Sequence, residues 1–311
     1  MESPSRERQQ MRAITQQAYG GPEVLELVEL PRPVPAADQT LVQIHAAGVN
    51  PADWKIRSGL VRRYGDPPLT PGLDLSGTTD AGQEVYGVAL PPGGSYAEYA
   101  AVAVNALAAK PRSLDHLHAA ALPTAALTAW QSLVGIAEVG PGDRVLIHAA
   151  AGGVGHLAVQ IAKSRGAYVI GTARPAKHDF LRELGADELI DYTSTDFVAA
   201  ARNVDVVLDP ISADYGPRSL DVLRPGGVLL DIRGTGPDRT AVQAKAAARG
   251  LRYVRFRFQP STADLAAIAA LVDDGLLRVA VEQVFPLEHA AKAHELSETG
   301  RVAGKVVLGV R

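Results

Sequence analysis

Arg144-Val145-Leu146-Ile147-His148-Ala149-Ala150-Ala151-Gly152-Gly153-Val154-Gly155-His156-Leu157-Ala158 is the stretch that decides the architecture. Residues 144–149 form a short β-rich run, and 156–165 read as a helix. Between them, Gly153-Val154-Gly155-His156-Leu157-Ala158 fits G-x-G-x-x-A, the dinucleotide fingerprint, in the strand-to-helix setting that the motif requires. Gly153 permits the tight turn, and Gly155 lets backbone N–H groups approach a pyrophosphate. Ala158 lets the helix pack against the strand. The helix N-terminus favours the anion through its free N–H groups and its dipole. Gly152, Gly153, Val154 and Gly155 are therefore candidate cofactor contacts.

Toward the carboxyl end the alternation continues. Residues 168–172 read as a strand, 177–184 as a helix ending at Gly185, and 204–208 and 227–232 as two buried strands. This spacing predicts βαβ units around a parallel sheet. Residues 252–258 alternate with period two, as an edge strand does, and a helix follows over 262–272. Toward the amino end, 114–134 read as two helical pieces around Pro123. Residues 12–105 are short apolar runs separated by Pro and Gly clusters, the texture of a compact strand-rich domain. Residues 1–10, rich in Arg, Glu, Gln and Ser, read as a disordered tail with no secretory signal.

The chain has 311 residues, enough for two domains, and its net charge is -3, with no basic run that would suit a nucleic acid. Its longest apolar stretch, 119–130, is interrupted by Pro123 and falls short of the ~20 residues that span a bilayer, so no membrane partner is expected. There is no cysteine, which removes disulfides, thiolate-bound zinc, iron–sulfur clusters and a thiol nucleophile. A cysteine-free chain suits a reducing compartment, and a cytoplasmic location is expected.

The second strand of such a fold selects the coenzyme. An NAD site places an acid about 20 residues after the first glycine, to accept from the ribose 2′-hydroxyl. Here Thr172-Ala173-Arg174-Pro175-Ala176-Lys177 carries none, and Asp179 falls inside the next helix. Arg174 and Lys177 offer cations suited to a 2′-phosphate, which favours NADP(H).

Several motifs in order resemble the zinc-independent quinone oxidoreductase and enone reductase branch of the medium-chain dehydrogenase/reductase superfamily, from about residue 11 to the end. They are Ala149–Gly155 with Gln160-Ile161-Ala162-Lys163, Val49-Asn50-Pro51-Ala52-Asp53 and Pro71-Gly72-Leu73-Asp74-Leu75-Ser76-Gly77. Leu122-Pro123 with Leu127-Thr128-Ala129-Trp130, and Gly304-Lys305-Val306-Val307-Leu308, complete the set. The resemblance implies an α/β fold with a Rossmann nucleotide-binding domain (123–261) inserted in a partly open, β-barrel-like (GroES-like) catalytic domain (11–122 and 262–311). It implies a homodimer or homotetramer, with residues 253–258 as the candidate pairing edge. Zinc-dependent relatives have Cys where Asn50 stands and Gly-His-Glu where Gly72-Leu73-Asp74 stands. Leu73 cannot bind a metal, so the resemblance and the ligand chemistry agree on a metal-free site.

By the same resemblance Asn50 lies beside the nicotinamide and Thr128 beneath it. Lys177 and Tyr192 hold the 2′-phosphate and adenosine. Asp231 and Ile232, with 234–236, meet the carboxamide, and residues 256–259 and Lys305 are further cofactor contacts. The implied activity is NADPH-dependent reduction of quinones or α,β-unsaturated carbonyls. A tailoring enoyl reductase and a non-catalytic NADPH-binding sensor are the alternatives. Many relatives carry Tyr where Lys55 stands, so Tyr64, Lys55, Asp53 and solvent are all open as proton sources. The stretch between Gly77 and Val85 is shorter than in relatives, which bears on substrate access.

Overall fold

The computed structural model describes residues 9–211 and 213–311. Residues 1–8 of the expected disordered tail lie outside the described residues, and Gln10 of that tail is already strand, paired with Pro31.

The fingerprint strand, Arg144–Ile147, sits third in a six-stranded sheet. The order runs Glu188–Asp191, Tyr168–Ala173, Arg144–Ile147, Val204–Asp209, Leu223–Asp231, Arg252–Arg255, and every pairing is parallel. Numbered within the unit, this is 3-2-1-4-5-6, the doubly wound dinucleotide-binding order. Val145, Leu146, Ile147, Val207 and Leu229 are fully buried, as expected of parallel strands covered on both faces. The strand order reverses between Arg144–Ile147 and Val204–Asp209. Ligands of this architecture bind there, outside the carboxyl ends of the strands.

The second sheet has seven strands. Gln39–Val49 lies at its centre and pairs with Lys305–Gly309, Asp74–Thr79 and Tyr99–Ala103. Glu84–Val88 and Leu107–Ala109 extend one side, and Val281–Pro286 the other. The two outer strands do not meet, so the barrel-like sheet stays open. Asp74–Thr79 and Glu84–Val88 are joined by a tight turn in which Gly82 takes φ +77°, and Gly82 N–H donates to Thr79 O at 2.8 Å. This single hairpin is what the short stretch after Gly77 builds.

Pro123 begins the helix Pro123–Trp130, because the first helical position needs no N–H donor. The helix runs on as a π-turn over Gln131–Ile136. The expected edge strand is shorter than the period-two pattern predicted: it ends at Arg255. Phe256 N–H donates to Asp231 O at 2.9 Å, and Phe256 and Phe258 turn into the wall between the sheets. Their rings have an apolar cavity to fill, which outweighs continued pairing at an exposed edge. No helix among the described residues is long and apolar enough to cross a membrane.

Candidate functional site

The two sheets meet over a cavity of about 430 Å³ at the point where the parallel strand order reverses. One wall is the fingerprint turn and the carboxyl ends of the parallel strands, with Val154, Pro210 and Ile232. The other is Asn50, Lys55, Ile56 and Tyr64, with Thr124 and Thr128 beneath.

Ala149, two residues past the fingerprint strand, takes φ +49°, a conformation that a residue with a Cβ adopts only under constraint. Thr172 supplies the constraint: its carbonyl accepts Ala150 N–H at 3.1 Å, and its hydroxyl accepts Ala149 N–H at 3.3 Å. Thr172 thus shapes the turn from within the sheet, where it is buried, instead of facing the cavity. A Cβ on Gly155 would lie 2.4 Å from Ala149 O and 2.6 Å from Ala150 O, so only glycine fits there. Among the described residues, the N–H groups of Gly153 and Val154 find no acceptor, and they head the helix Gly155–Ser164. Unpartnered donors at a helix N-terminus beside a cavity are what a pyrophosphate requires.

His156 ties this turn to the segment that leads into the second sheet. Its Nδ1–H donates to Gly152 O at 2.9 Å, and its Nε2 accepts Ala280 N–H at 3.3 Å. Burial pushes its pKa down to about 4, so the ring is neutral in that tautomer.

Asn50 follows the central strand of the open sheet and precedes the helix Pro51–Arg57. Register sets its neighbours. Gly48 pairs with Asp74 on one side and Val49 with Val306 on the other, so Asp74 and Lys305 flank Asn50. Asn50 Nδ2 donates to Asp74 Oδ2 at 2.9 Å, and Lys305 Nζ donates to Asn50 Oδ1. Lys305 Nζ is also 3.6 Å from Asp74 Oδ2. Thr124 completes the group, its backbone N–H donating to Asp74 Oδ1 at 2.9 Å. A donor on Oδ1 and an acceptor at Nδ2 fix which way the amide points, and one Nδ2–H is left over. Gly48 makes the approach possible, since a Cβ there would lie 2.9 Å from that of Asp74 and 2.3 Å from Ala120 O. Burial pushes the Asp74 carboxyl up and the Lys305 ammonium down, and each opposes the other's shift.

Lys305, expected at the cofactor, is buried behind Asn50. Asp53, expected among the proton sources, is buried as well. Its Oδ2 accepts Asn50 N–H at 2.8 Å and Tyr96 O–H at 3.2 Å. Beyond Tyr96, His294 and Arg57 carry the network to Glu298 near the surface. Burial raises the Asp53 pKa to about 7, against the Asn50 hydrogen bond, which lowers it.

Lys55 and Tyr64 do line the cavity. Lys55 Nζ donates to Arg233 O at 3.0 Å, and the Tyr64 hydroxyl oxygen accepts from the Arg63 guanidinium at 2.8 Å. Thr128 Oγ1 donates to Thr124 O at 2.6 Å, one turn back.

Asp231 ends its strand with both oxygens 2.8 Å from the Arg233 guanidinium, and accepts Tyr253 O–H at 2.7 Å. Burial alone would raise its pKa, but these donors hold it below the usual range. Asp209 pairs with Arg239 at 2.8 Å, and burial pushes its pKa to about 6. This ion cluster pins residues 232–239 at the mouth of the cavity.

At the far end of the second parallel strand, Arg174 Nε donates to Tyr192 O–H at 3.0 Å, and Lys177 Nζ stands 4.0 Å from Glu282. Asp74, Thr124, Arg233 and Arg239 escaped the sequence reading. The available signal was a charged residue set inside an apolar run, as in Leu73-Asp74-Leu75 and Lys305-Val306-Val307-Leu308.

Comparison with known proteins identifies two family matches: an alcohol dehydrogenase GroES-like domain over residues 36–112 and a zinc-binding dehydrogenase domain over 184–308. The quinone oxidoreductase of Sus scrofa is 32% identical, with 96% of this chain and 97% of that protein covered. The solved quinone oxidoreductase of Coxiella burnetii superposes with a TM-score of 0.90 at 38% identity, covering 97% of this chain and all of that one. The Escherichia coli quinone oxidoreductase complexed with NADPH gives 0.86 at 30% identity, covering 96% of this chain and all of that one.

Proposed function

We propose, from the premise that the chain belongs to the quinone oxidoreductase branch of the medium-chain dehydrogenase/reductase superfamily and is an oxidoreductase, that it reduces quinones or α,β-unsaturated carbonyls with NADPH and without zinc. The observation that carries the reading is the pair of unpartnered N–H groups at Gly153 and Val154, beside a cavity that Val154 lines and whose opposite wall presents the fixed amide of Asn50. When bound, NADPH supplies the hydride.

Gly152, Gly153, Val154 and Gly155 would hold its pyrophosphate. Arg174 and Lys177 would hold the 2′-phosphate, and Tyr192 would lie by the adenosine. Thr128, Ile232 and the free Nδ2–H of Asn50 would orient the ring and substrate. Asp74, Lys305 and Asp231 act one layer back, by fixing Asn50 and the loop 232–239. Lys55, Tyr64 or solvent supplies the proton that balances the hydride. Asp53 positions Asn50 from behind. Metal catalysis has no ligands to draw on where relatives hold zinc, because Leu73 and Asn50 occupy those positions. Residues 11–122 with 262–311 would then be the catalytic domain, 123–261 the nucleotide domain, and the exposed edge Arg252–Arg255 the pairing surface of a homodimer or homotetramer in the cytoplasm.

The test is NADPH absorbance decay at ~340 nm with 1,4-benzoquinone, 9,10-phenanthrenequinone and short and long enals. Turnover of a quinone or enal supports the reading. Tight NADPH binding with no oxidation across the panel favours a binding protein instead.

A further inference from the structure

The cavity wall carries Lys55, Arg63, Arg233 and Arg257 and not one Asp or Glu, in a chain whose net charge is -3. Its sign is therefore opposite to that of the molecule. Arg233 is neutralised by Asp231. Lys55, Arg63 and Arg257 form no ion pair among the described residues. Lys55 is half-buried and uses one of its three N–H donors on Arg233 O, so two are free. Burial, and then the Arg233 charge, push its ammonium pKa down, as happens to a cation without a counter-ion. Arg63 and Arg257 are exposed where they line the cavity, and the Arg63 guanidinium lies 4.6 Å over the Tyr64 ring. The rest of the wall is apolar, with Ile56, Val61, Leu90 and Phe258.

The coenzyme does not account for these charges. Its phosphates are provided for at the fingerprint turn and at Arg174 and Lys177, none of the three cations among them, and its oxidised ring is itself cationic. A concave, low-dielectric wall of one sign concentrates ligands of the other.

Resting on the reading above, we propose that the natural substrate carries a fixed anionic group, such as a carboxylate, beside its reducible double bond or quinone. Lys55, with Arg63 and Arg257, receives the anion, and the apolar body lies against Ile56, Val61 and Phe258.

The probes are 9,10-phenanthrenequinone and its 2-carboxylate, compared as a ratio of kcat/KM so that losses common to both cancel. The carboxylate advantage should shrink as salt rises from about 0.02 to 0.3 M. It should fall by about tenfold in Lys55→Met, and by roughly two- to fivefold in Arg63→Gln or Arg257→Gln. Equal slowing of both quinones in Lys55→Met, with a ratio indifferent to salt, would overturn the proposal. The lysine would then serve only the charge that develops on reduction. Calorimetric binding of the carboxylate to the NADPH-saturated protein is measured in parallel. If neither quinone turns over, quinone reduction in the reading above fails, and the calorimetric comparison alone decides this proposal. If the carboxylate binds without dependence on salt or Lys55, this proposal fails by itself.

Discussion

Replacing Lys305 by Met should cost stability in a way that depends steeply on pH. The lysine stem is matched by the methionine chain, so little packing is lost. What goes is the cation beside Asp74, which is 0% exposed while Lys305 is 3% exposed. A buried pair stripped of one partner loses ~3–5 kcal/mol. Asp74 has an escape, because it can take up a proton. At pH 7 that costs about 4 kcal/mol relative to an ordinary carboxyl, and at pH 5 only about 1.5 kcal/mol. Lys305→Met should therefore lower the melting temperature by about 6 °C at pH 7 and by only about 2 °C at pH 5, on a scale of roughly 1.5 °C per kcal/mol for a chain of this length. Adding Asp74→Asn should restore most of the loss at pH 7, because no charge is then left unpaired. The Asn50 amide also loses the donor on its Oδ1, so turnover should drop in the stable double variant too. Equal destabilisation at both pH values, or a double variant no better than the single, would refute the assignment of Lys305 and Asp74 as a buried pair.

Two further outcomes follow from the same geometry. Lys177→Ala should weaken NADPH by about 10–100-fold, the loss of one charge-assisted contact, while NADH changes little, as read by titration of each coenzyme. Equal weakening of both would remove Lys177 from the 2′-phosphate. Asp53→Asn keeps an acceptor oxygen and removes a titrating group whose pKa is raised from 3.8 to about 7. A raised carboxyl contributes stability that is complete below pH ~4 and lost as pH climbs through ~7. The variant minus wild-type difference in unfolding free energy should thus grow between pH ~4 and ~7, by at most about 4 kcal/mol, and a flat difference would show that Asp53 does not titrate there.

The parallel domain was legible because its signals are local. The turn at Gly153–Ala158, the strand before it and the helix after it lie within a few residues, and each choice agrees with the next. The missing acid before Asp179 was legible for the same reason. The network behind Asn50 was not, because its members are joined by sheet register. Lys305 is 255 positions from Asn50, and Thr124 is 50 from Asp74. Lys305 and Asp53 were placed at the front of the site by resemblance, whereas burial puts them one layer back. Residues 256–258 were read as strand because their alternation is genuine, but an edge strand holds its residues only until a cavity offers aromatic rings a better place. The cations of the cleft come from segments near 55, 63 and 257, and only the fold reveals that no carboxylate accompanies them.

Calorimetric titration of the purified chain with each nicotinamide coenzyme tests the central claim most directly. NADPH should bind with about one equivalent per chain, and NADH should bind at least about tenfold more weakly, a gap of roughly 1.4 kcal/mol. Absence of heat with both coenzymes would contradict the account, because the free N–H groups at Gly153 and Val154 would then have no pyrophosphate to hold.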